Sequence, residues 1–162
     1  MNDVELIFEK YVEMYTESSV FRTGERVEIP VFHGSPKYFG DKFDINHRAP
    51  TLGRGAYFST SESYARRYLS SIPGQTPEEG SHLYKAIITF QNPLVLTDKS
   101  LQDTMMNMLR AVPKGYDWGD ETAEGMLGDK IREMGHDGII WTKENGLVEI
   151  VAFKQTQIVL TK

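Results

Sequence analysis

Residues 137–161 read DGIIWTKENGLVEIVAFKQTQIVLT. Three β-rich runs make up this stretch, DGIIWT at 137–142, LVEIVAF at 147–153 and QIVLT at 157–161, each set off by about four turn-forming residues. Directly upstream, Leu101 to Val112 and Glu121 to Met134 have helical periodicity, with Pro113 and Gly115 between them. Further back, LYKAIITF at 83–90 and PLVLT at 93–97 are strands joined by a turn at Gln91 and Asn92. Strands clustered in this way, without a strict β-α-β alternation, predict an α+β fold with substantial antiparallel pairing.

The N-terminal half completes the pattern. GRGAYFST at 53–60 gives a glycine-flexed approach, a short strand through Ala56, Tyr57 and Phe58, and a Ser or Thr to cap a helix over about 62–71. Val27 to Phe32 is a short strand, broken at once by HGSP, where Gly34 and Pro36 end it and leave His33 at a strand end. Residues 37–52 read as polar and irregular. Val4, Ile7, Phe8, Tyr11, Val12, Met14 and Tyr15 lie at mostly three- and four-residue spacing, which predicts a helix over 3–18 with a broad apolar stripe. No repeat or linker divides the chain, so we expect a helical extension, residues 1–28, packed on one domain, residues 29–162.

Composition narrows the function classes. With 162 residues, 40% hydrophobic and 25% charged, the chain can bury a core without disulfides. The absence of cysteine excludes a disulfide framework, a zinc-cysteine site and a thiol nucleophile. No apolar run approaches the roughly 20 residues of a membrane span, and the acidic start MNDVELIFEK is unlike a secretory signal, so a cytoplasmic setting without membrane partners is expected. A net charge of −5 disfavours non-specific attraction to nucleic acid or anionic lipid.

Glu149 carries the most chemical information. It is the one charged side chain between Gly146 and Phe153, on a face shared with Leu147, Val151 and Phe153, while Val148, Ile150 and Ala152 fill the other. A carboxylate in a strand buried on both faces needs a partner or a shifted pKa to offset several kcal/mol of desolvation. The structural alternative is a Glu at an exposed strand end or paired with a core Arg. His33 is held beside exposed backbone groups, as a ligand-facing ring or as a loop residue with one structural hydrogen bond. His47, His82 and His136 form no set at metal-ligand spacing, so no metal site is expected. Gly53 and Gly55 are too few for a dinucleotide fingerprint, and there is no phosphate loop, nucleophile elbow, HExxH helix or EF-hand loop. Tyr57, Tyr64 and Tyr68, a stripe of tyrosines with free hydroxyls by a glycine turn, suit either core packing or stacking on a flat heteroaromatic ring.

In order, VFHGSP at 31–36, GRGAYFSTSESYARRY at 53–68, LYKAIITFQNPLVL at 83–96, GHDGIIWT at 135–142 and LVEIVAFKQTQI at 147–158 resemble the ADP-ribosyltransferases with a His, Tyr, Glu triad. These are the poly(ADP-ribose)-polymerase-like and diphtheria-toxin-like enzymes, and especially the small domains in polyvalent proteins of phages and mobile elements. The resemblance covers roughly 29–160. It implies split antiparallel β-sheets with flanking helices that hold NAD as co-substrate without a metal, and a glycosyltransferase that breaks the nicotinamide-ribose bond and passes ADP-ribose to an acceptor, as mono-ADP-ribosylation. The setting it implies is the cytoplasm, that of the host if the chain is phage-encoded.

Carried over by position, the resemblance makes His33, Tyr57 and Glu149 the catalytic set. His33 would bind the adenine-side ribose, Gly34 would clamp the carboxamide through its backbone, and Tyr57 and Tyr68 would wall the nicotinamide. Glu149 would bind the 2'-hydroxyl and stabilise the cationic centre. Ser35, Gly55, Phe58 and Ser59 complete the implied nucleotide site, and Arg48 and Arg54 are available to the pyrophosphate or are solvated loop charges. Two positions depart from the pattern. Leu147 stands where arginine-modifying relatives have Glu or Gln, which argues against an arginine acceptor. Where polymerase-like members place a carboxamide-binding Ser, this chain has Ala65 or Tyr64, leaving Ser59, Ser61 or Ser63 as substitutes. A protein acceptor is preferred to nucleic acid. An NAD glycohydrolase, a non-catalytic NAD or ADP-ribose module, and a virion-associated protein assembling through its N-terminal helix are the alternatives.

Overall fold

The computed structural model describes residues 2–18, 26–46, 48–49 and 52–162. Helix α1 spans Asp3–Ser18. It starts in a capping box, in which the Glu5 amide donates to Asn2 Oδ1 at 2.8 Å and the Asn2 amide to Glu5 Oε2 at 2.9 Å. Its inner stripe is Val4, Phe8 and Val12, all buried; the side chains of Met14 and Tyr15, and all of His47, lie outside the described residues. Strand β1 is Val27–Ser35, β2 Arg48–Ala49, β3 Gly53–Arg54 and β4 Ala56–Ser59. Helix α2, Glu62–Arg66, is capped by Ser61, whose Oγ accepts from the Tyr64 amide. It passes into a 3-10 turn at Arg67–Leu69, so the expected helix ends earlier than residue 71. Strands β5, His82–Phe90, and β6, Leu94–Thr97, lead to helices α3, Asp98–Ala111, and α4, Ala123–Glu133. Strands β7, Gly138–Thr142, β8, Val148–Ala152, and β9, Ile158–Thr161, close the chain.

Seven strands form one sheet in the order β6-β7-β8-β4-β1-β5-β9, and β2 and β3 pair separately. The pairing is antiparallel except between β6 and β7, which run parallel. β5 and β6 follow one another across the Gln91-Asn92 turn but do not pair. They belong to different halves of the sheet, and both carboxylate oxygens of Asp137 hold the turn by accepting from the Gln91 and Asn92 amides.

The halves part between β1 and β4. β1 pairs with β5 along its whole length, from Val27 opposite Phe90 to Ser35 opposite His82, but meets β4 at the single pair Phe32 and Ser59. Val31, Ala86 and Ile88 from one half and Ile140, Ile150 and Ala152 from the other bury in one apolar cluster. The opposite face of β6, β7 and β8 packs Leu96, Ile139 and Val151 against α1, α3 and α4 in a second cluster. β8 is thus apolar on both faces from Ile150 onward, as alternation predicts, although Leu147, Val148 and Glu149 are only half-buried.

Burial, partly offset by the Asn92 carbonyl and Asp137, holds the imidazole of His136 below its ordinary value of 6.5. The unfolded chain therefore takes up the proton first, and this contribution to stability is lost as the pH falls through 6.5 toward the folded value. Denaturant titrations at a series of pH values should give a midpoint that falls below pH 6.5, with a shallower fall in His136→Asn.

Candidate functional site

At the parting of β1 and β4 lies a cleft of about 880 Å³, within the range of small-molecule sites. Elements far apart in sequence line it: β1 with His33, β4 with Tyr57, α2 with Tyr64, the 3-10 turn with Tyr68 and β8 with Glu149.

The strand containing His33 does not stop at HGSP. β1 continues through Gly34 and Ser35, with His33 opposite Tyr84, because Gly34 keeps an ordinary strand backbone and serves close packing instead. A Cβ on Gly34 would stand 2.0 Å from the Ala65 carbonyl oxygen, so the missing side chain lets α2 lie directly on β1. The Thr60 amide donates to the Val148 carbonyl. By strand alternation the backbone groups of Phe58 and Thr60 therefore face β8, and those of Tyr57 and Ser59 face β1. The β1 ladder reaches only Ser59, and the Tyr57 carbonyl accepts instead from His33 Nδ1 at 2.6 Å. A carbonyl only accepts, so the proton of the neutral ring sits on Nδ1. The same alternation turns the N–H and C=O of Gly34 toward the side of β1 from which β4 has departed. Phe39, Phe43, Phe58 and Tyr84 meet the His33 ring edge to face and fix its plane.

The tyrosine hydroxyls are bonded, contrary to the expectation of free ones. Tyr57 Oη donates to the Gly53 carbonyl at 2.7 Å. Burial raises its pKa strongly and the negative charge of Glu149 raises it further, so the phenol is neutral. Tyr68, 40% exposed, shares a 3.0 Å hydrogen bond with Tyr64 through their hydroxyls. Burial, with that bond next, pushes its pKa up to about 12. Gly55 and Phe58 line the cleft, as do Ser35 and Ser59. Ser35 Oγ donates to the Lys37 carbonyl at 2.6 Å, and Ser59 Oγ accepts from the Ser61 amide at 3.0 Å.

Glu149 stands opposite Ser59 on β4 and Trp141 on β7. Its side chain is 18% exposed, and Oε2 lies 3.0 Å from Nζ of Lys143, itself 20% exposed. The partner demanded by a carboxylate in an apolar strand is thus a lysine on the adjoining turn rather than a core arginine. Lys143 was only partly open to sequence reasoning. The three-residue turn Glu144-Asn145-Gly146 sets Lys143 opposite Leu147 and diagonal to Glu149, whereas Asn145-Gly146 read as a two-residue turn would have put Glu144 there. Phe39 and Phe43 carried no comparable signal, because they sit in an irregular segment with no period to orient them. Arg54 is exposed and outside the cleft lining. Arg48 pairs with it across β2 and β3, and its side chain lies outside the described residues. Among the described residues no cluster of His, Asp and Glu could hold a metal ion, and no helix is long and apolar enough to cross a membrane.

A family model described as ADP-ribosyltransferase in polyvalent proteins matches residues 25–159. No curated protein sequence matches the chain significantly. Among solved structures, one chain from the M. tuberculosis MbcT-MbcA toxin-antitoxin complex aligns with a TM-score of 0.57 at 13% identity, over 96% of this chain and 90% of that one. A structure of an anti-CRISPR protein aligns with a TM-score of 0.40 at 12% identity, over 87% of this chain and 100% of that one. At 13% identity the first likeness is one of fold.

The contact between Gly34 and α2 is directly testable. Gly34→Ala forces α2 off β1, and we expect a loss of about 1–3 kcal/mol in denaturant unfolding. Ala65→Gly, which leaves that carbonyl in place, should not restore it.

Proposed function

We propose, from the premise that the chain belongs to the ADP-ribosyltransferase family of polyvalent proteins, that it cleaves the nicotinamide-ribose bond of NAD and transfers ADP-ribose to an acceptor. The observation that carries this reading is the meeting of His33, Gly34, Tyr57, Tyr68 and Glu149 in one cleft. Tyr57 and Tyr68 are suited to flank the nicotinamide ring, whose cationic face favours aromatic neighbours. The Gly34 N–H and C=O offer the donor and acceptor that a carboxamide needs. His33, its ring oriented by the Tyr57 carbonyl, is suited to hydrogen-bond a ribose hydroxyl.

In the reaction the bond between C1' of the ribose and the ring nitrogen breaks, and its electron pair leaves with nicotinamide. C1' becomes an oxocarbenium-like centre. The acceptor then forms a bond to C1' and gives up a proton. The Glu149 carboxylate can bind the 2'-hydroxyl, stabilise the developing positive charge and take the acceptor's proton. A half-buried position strengthens such a charge interaction relative to open water. The reading includes transfer of a single ADP-ribose.

The ion pair with Lys143 favours a second reading, in which Glu149 is structural. Glu149→Gln separates the two. For a catalytic carboxylate, nicotinamide release should fall by two or more orders of magnitude, roughly 2.7 kcal/mol or more. NAD affinity should change little. Stability should fall by about 1 kcal/mol or less, since Lys143 retains access to water. A large drop in melting temperature, with turnover retained by the folded fraction, would favour the structural role. In parallel, Tyr57→Ala should weaken NAD binding in calorimetry while the domain stays folded, and unchanged affinity would remove Tyr57 from the site.

A further inference from the structure

Of the ion pairs among the described residues, Lys143 with Glu149 is the one in which both side chains are mostly buried. Three features hold the lysine there. Its amide donates to the Leu147 carbonyl at 2.8 Å, and the Gly146 amide donates to the Lys143 carbonyl at 3.0 Å. Gly146 adopts φ +82°, so the tight turn fixes the backbone from which the side chain projects. The ammonium lies 4.6 Å from the ring centre of Trp141 and 5.5 Å from that of Tyr64, bracketed by two aromatic rings. Glu149 lines the cleft and Lys143 does not, so the cation approaches the carboxylate from outside the space a substrate would fill.

We propose that Lys143 is a positioning residue for the transfer reaction, engaging Oε2 of Glu149 from outside the cleft so that the carboxylate presents Oε1 to the ribose hydroxyl and the acceptor. This rests on the reading of Glu149 as the catalytic carboxylate. A cation at this distance opposes positive charge at C1', so its benefit is not direct stabilisation of the transition state. It lies in offsetting the desolvation of a carboxylate that would otherwise have no charged partner, and in fixing its direction. Burial alone would push the Lys143 ammonium down, but the Glu149 carboxylate and Tyr64 outweigh it and hold its pKa above the ordinary value. Beside the ionised Glu149, Lys143 therefore holds its protons and engages the carboxylate as a donor. Tyr64, which also shares its hydroxyl with Tyr68, ties this arrangement to the tyrosines of the cleft lining.

The test is a double-mutant cycle read by nicotinamide release from NAD, with kcat and KM measured separately. Lys143→Met should lower kcat by about 10- to 100-fold with KM for NAD changed by less than about threefold. Lys143→Arg, which keeps the charge, should recover most of that loss. In a Glu149→Gln background, adding Lys143→Met should change the residual rate by less than about twofold, because the lysine acts through the missing carboxylate. Wild-type kcat in Lys143→Met, or an equal loss in both backgrounds, would overturn the proposal. If Lys143→Met does not fold, Lys143→Gln serves in its place, and failure of Lys143→Arg to exceed it in kcat would count equally against the proposal. A wild-type protein that binds NAD but releases no nicotinamide would instead remove the underlying reading of Glu149, and the proposal with it.

Discussion

The hydrogen bond from His33 Nδ1 to the Tyr57 carbonyl is the constraint on which the cleft depends. A sheet that parts between two strands leaves backbone groups facing a gap, and a buried carbonyl without a donor costs about 1–3 kcal/mol. Here the gap opens after one bridge, and the imidazole supplies the donor that the β1 backbone no longer reaches. One side chain thus permits the split, orients itself by its own bond, and takes its place in the lining of the opening. Phe43, Phe58 and Tyr84 pack their rings around it and hold its plane where the strands part.

The expected architecture and family both stand, and the reasons lie in particular residues. The closing strands were legible because β-branched residues from Ile139 to Leu160 fall into runs separated by turn formers, and α1 because Val4, Phe8 and Val12 repeat every fourth residue. The end of β1 was misread because Gly34 and Pro36 are ordinarily turn residues. A strand glycine required by a neighbouring helix carries the same letter as one required by a turn, and only the position of Ala65 distinguishes them. The separation of β5 from β6 was hidden for a related reason, since so short a connection normally makes a hairpin and here crosses between half-sheets.

For the site, the sequence could identify side chains suited to a nucleotide but not the state of their polar atoms. That His33 Nδ1 bonds to the Tyr57 carbonyl follows from packing between segments separated by a polar, irregular stretch, which no periodicity records, and the bond from Tyr57 Oη to the Gly53 carbonyl, four residues back, depends on how the glycine turn folds. The charge balance was partly readable. Glu149 announced the need for a partner through its apolar surroundings, but Asn145-Gly146 fits a two-residue turn as well as the three-residue turn the chain adopts, so register did not single out Lys143. Arg48 and Arg54, by contrast, looked equivalent to any other cations beside a glycine turn, and their pairing on β2 and β3 carries Arg54 away from the cleft lining.

The outer helical layer also bears on the site, through β3. A Cβ on Gly128 of α4 would stand 2.0 Å from the Leu52 carbonyl oxygen, and one on Gly53 would stand 3.1 Å from the Gly125 Cα, so α4 and the chain at Leu52 and Gly53 touch backbone to backbone. The Gly53 carbonyl is the acceptor for Tyr57 Oη. The height of the Tyr57 ring in the cleft is therefore set by how closely α4 seats on β3. That seating is fixed in turn by the apolar cluster in which Leu127 and Ile131 of α4 meet Val4, Phe8 and Val12 of α1. An interior at near-crystalline density transmits such a displacement without absorbing it, so the N-terminal helix, which lines no part of the cleft, helps to determine the position of one of its walls.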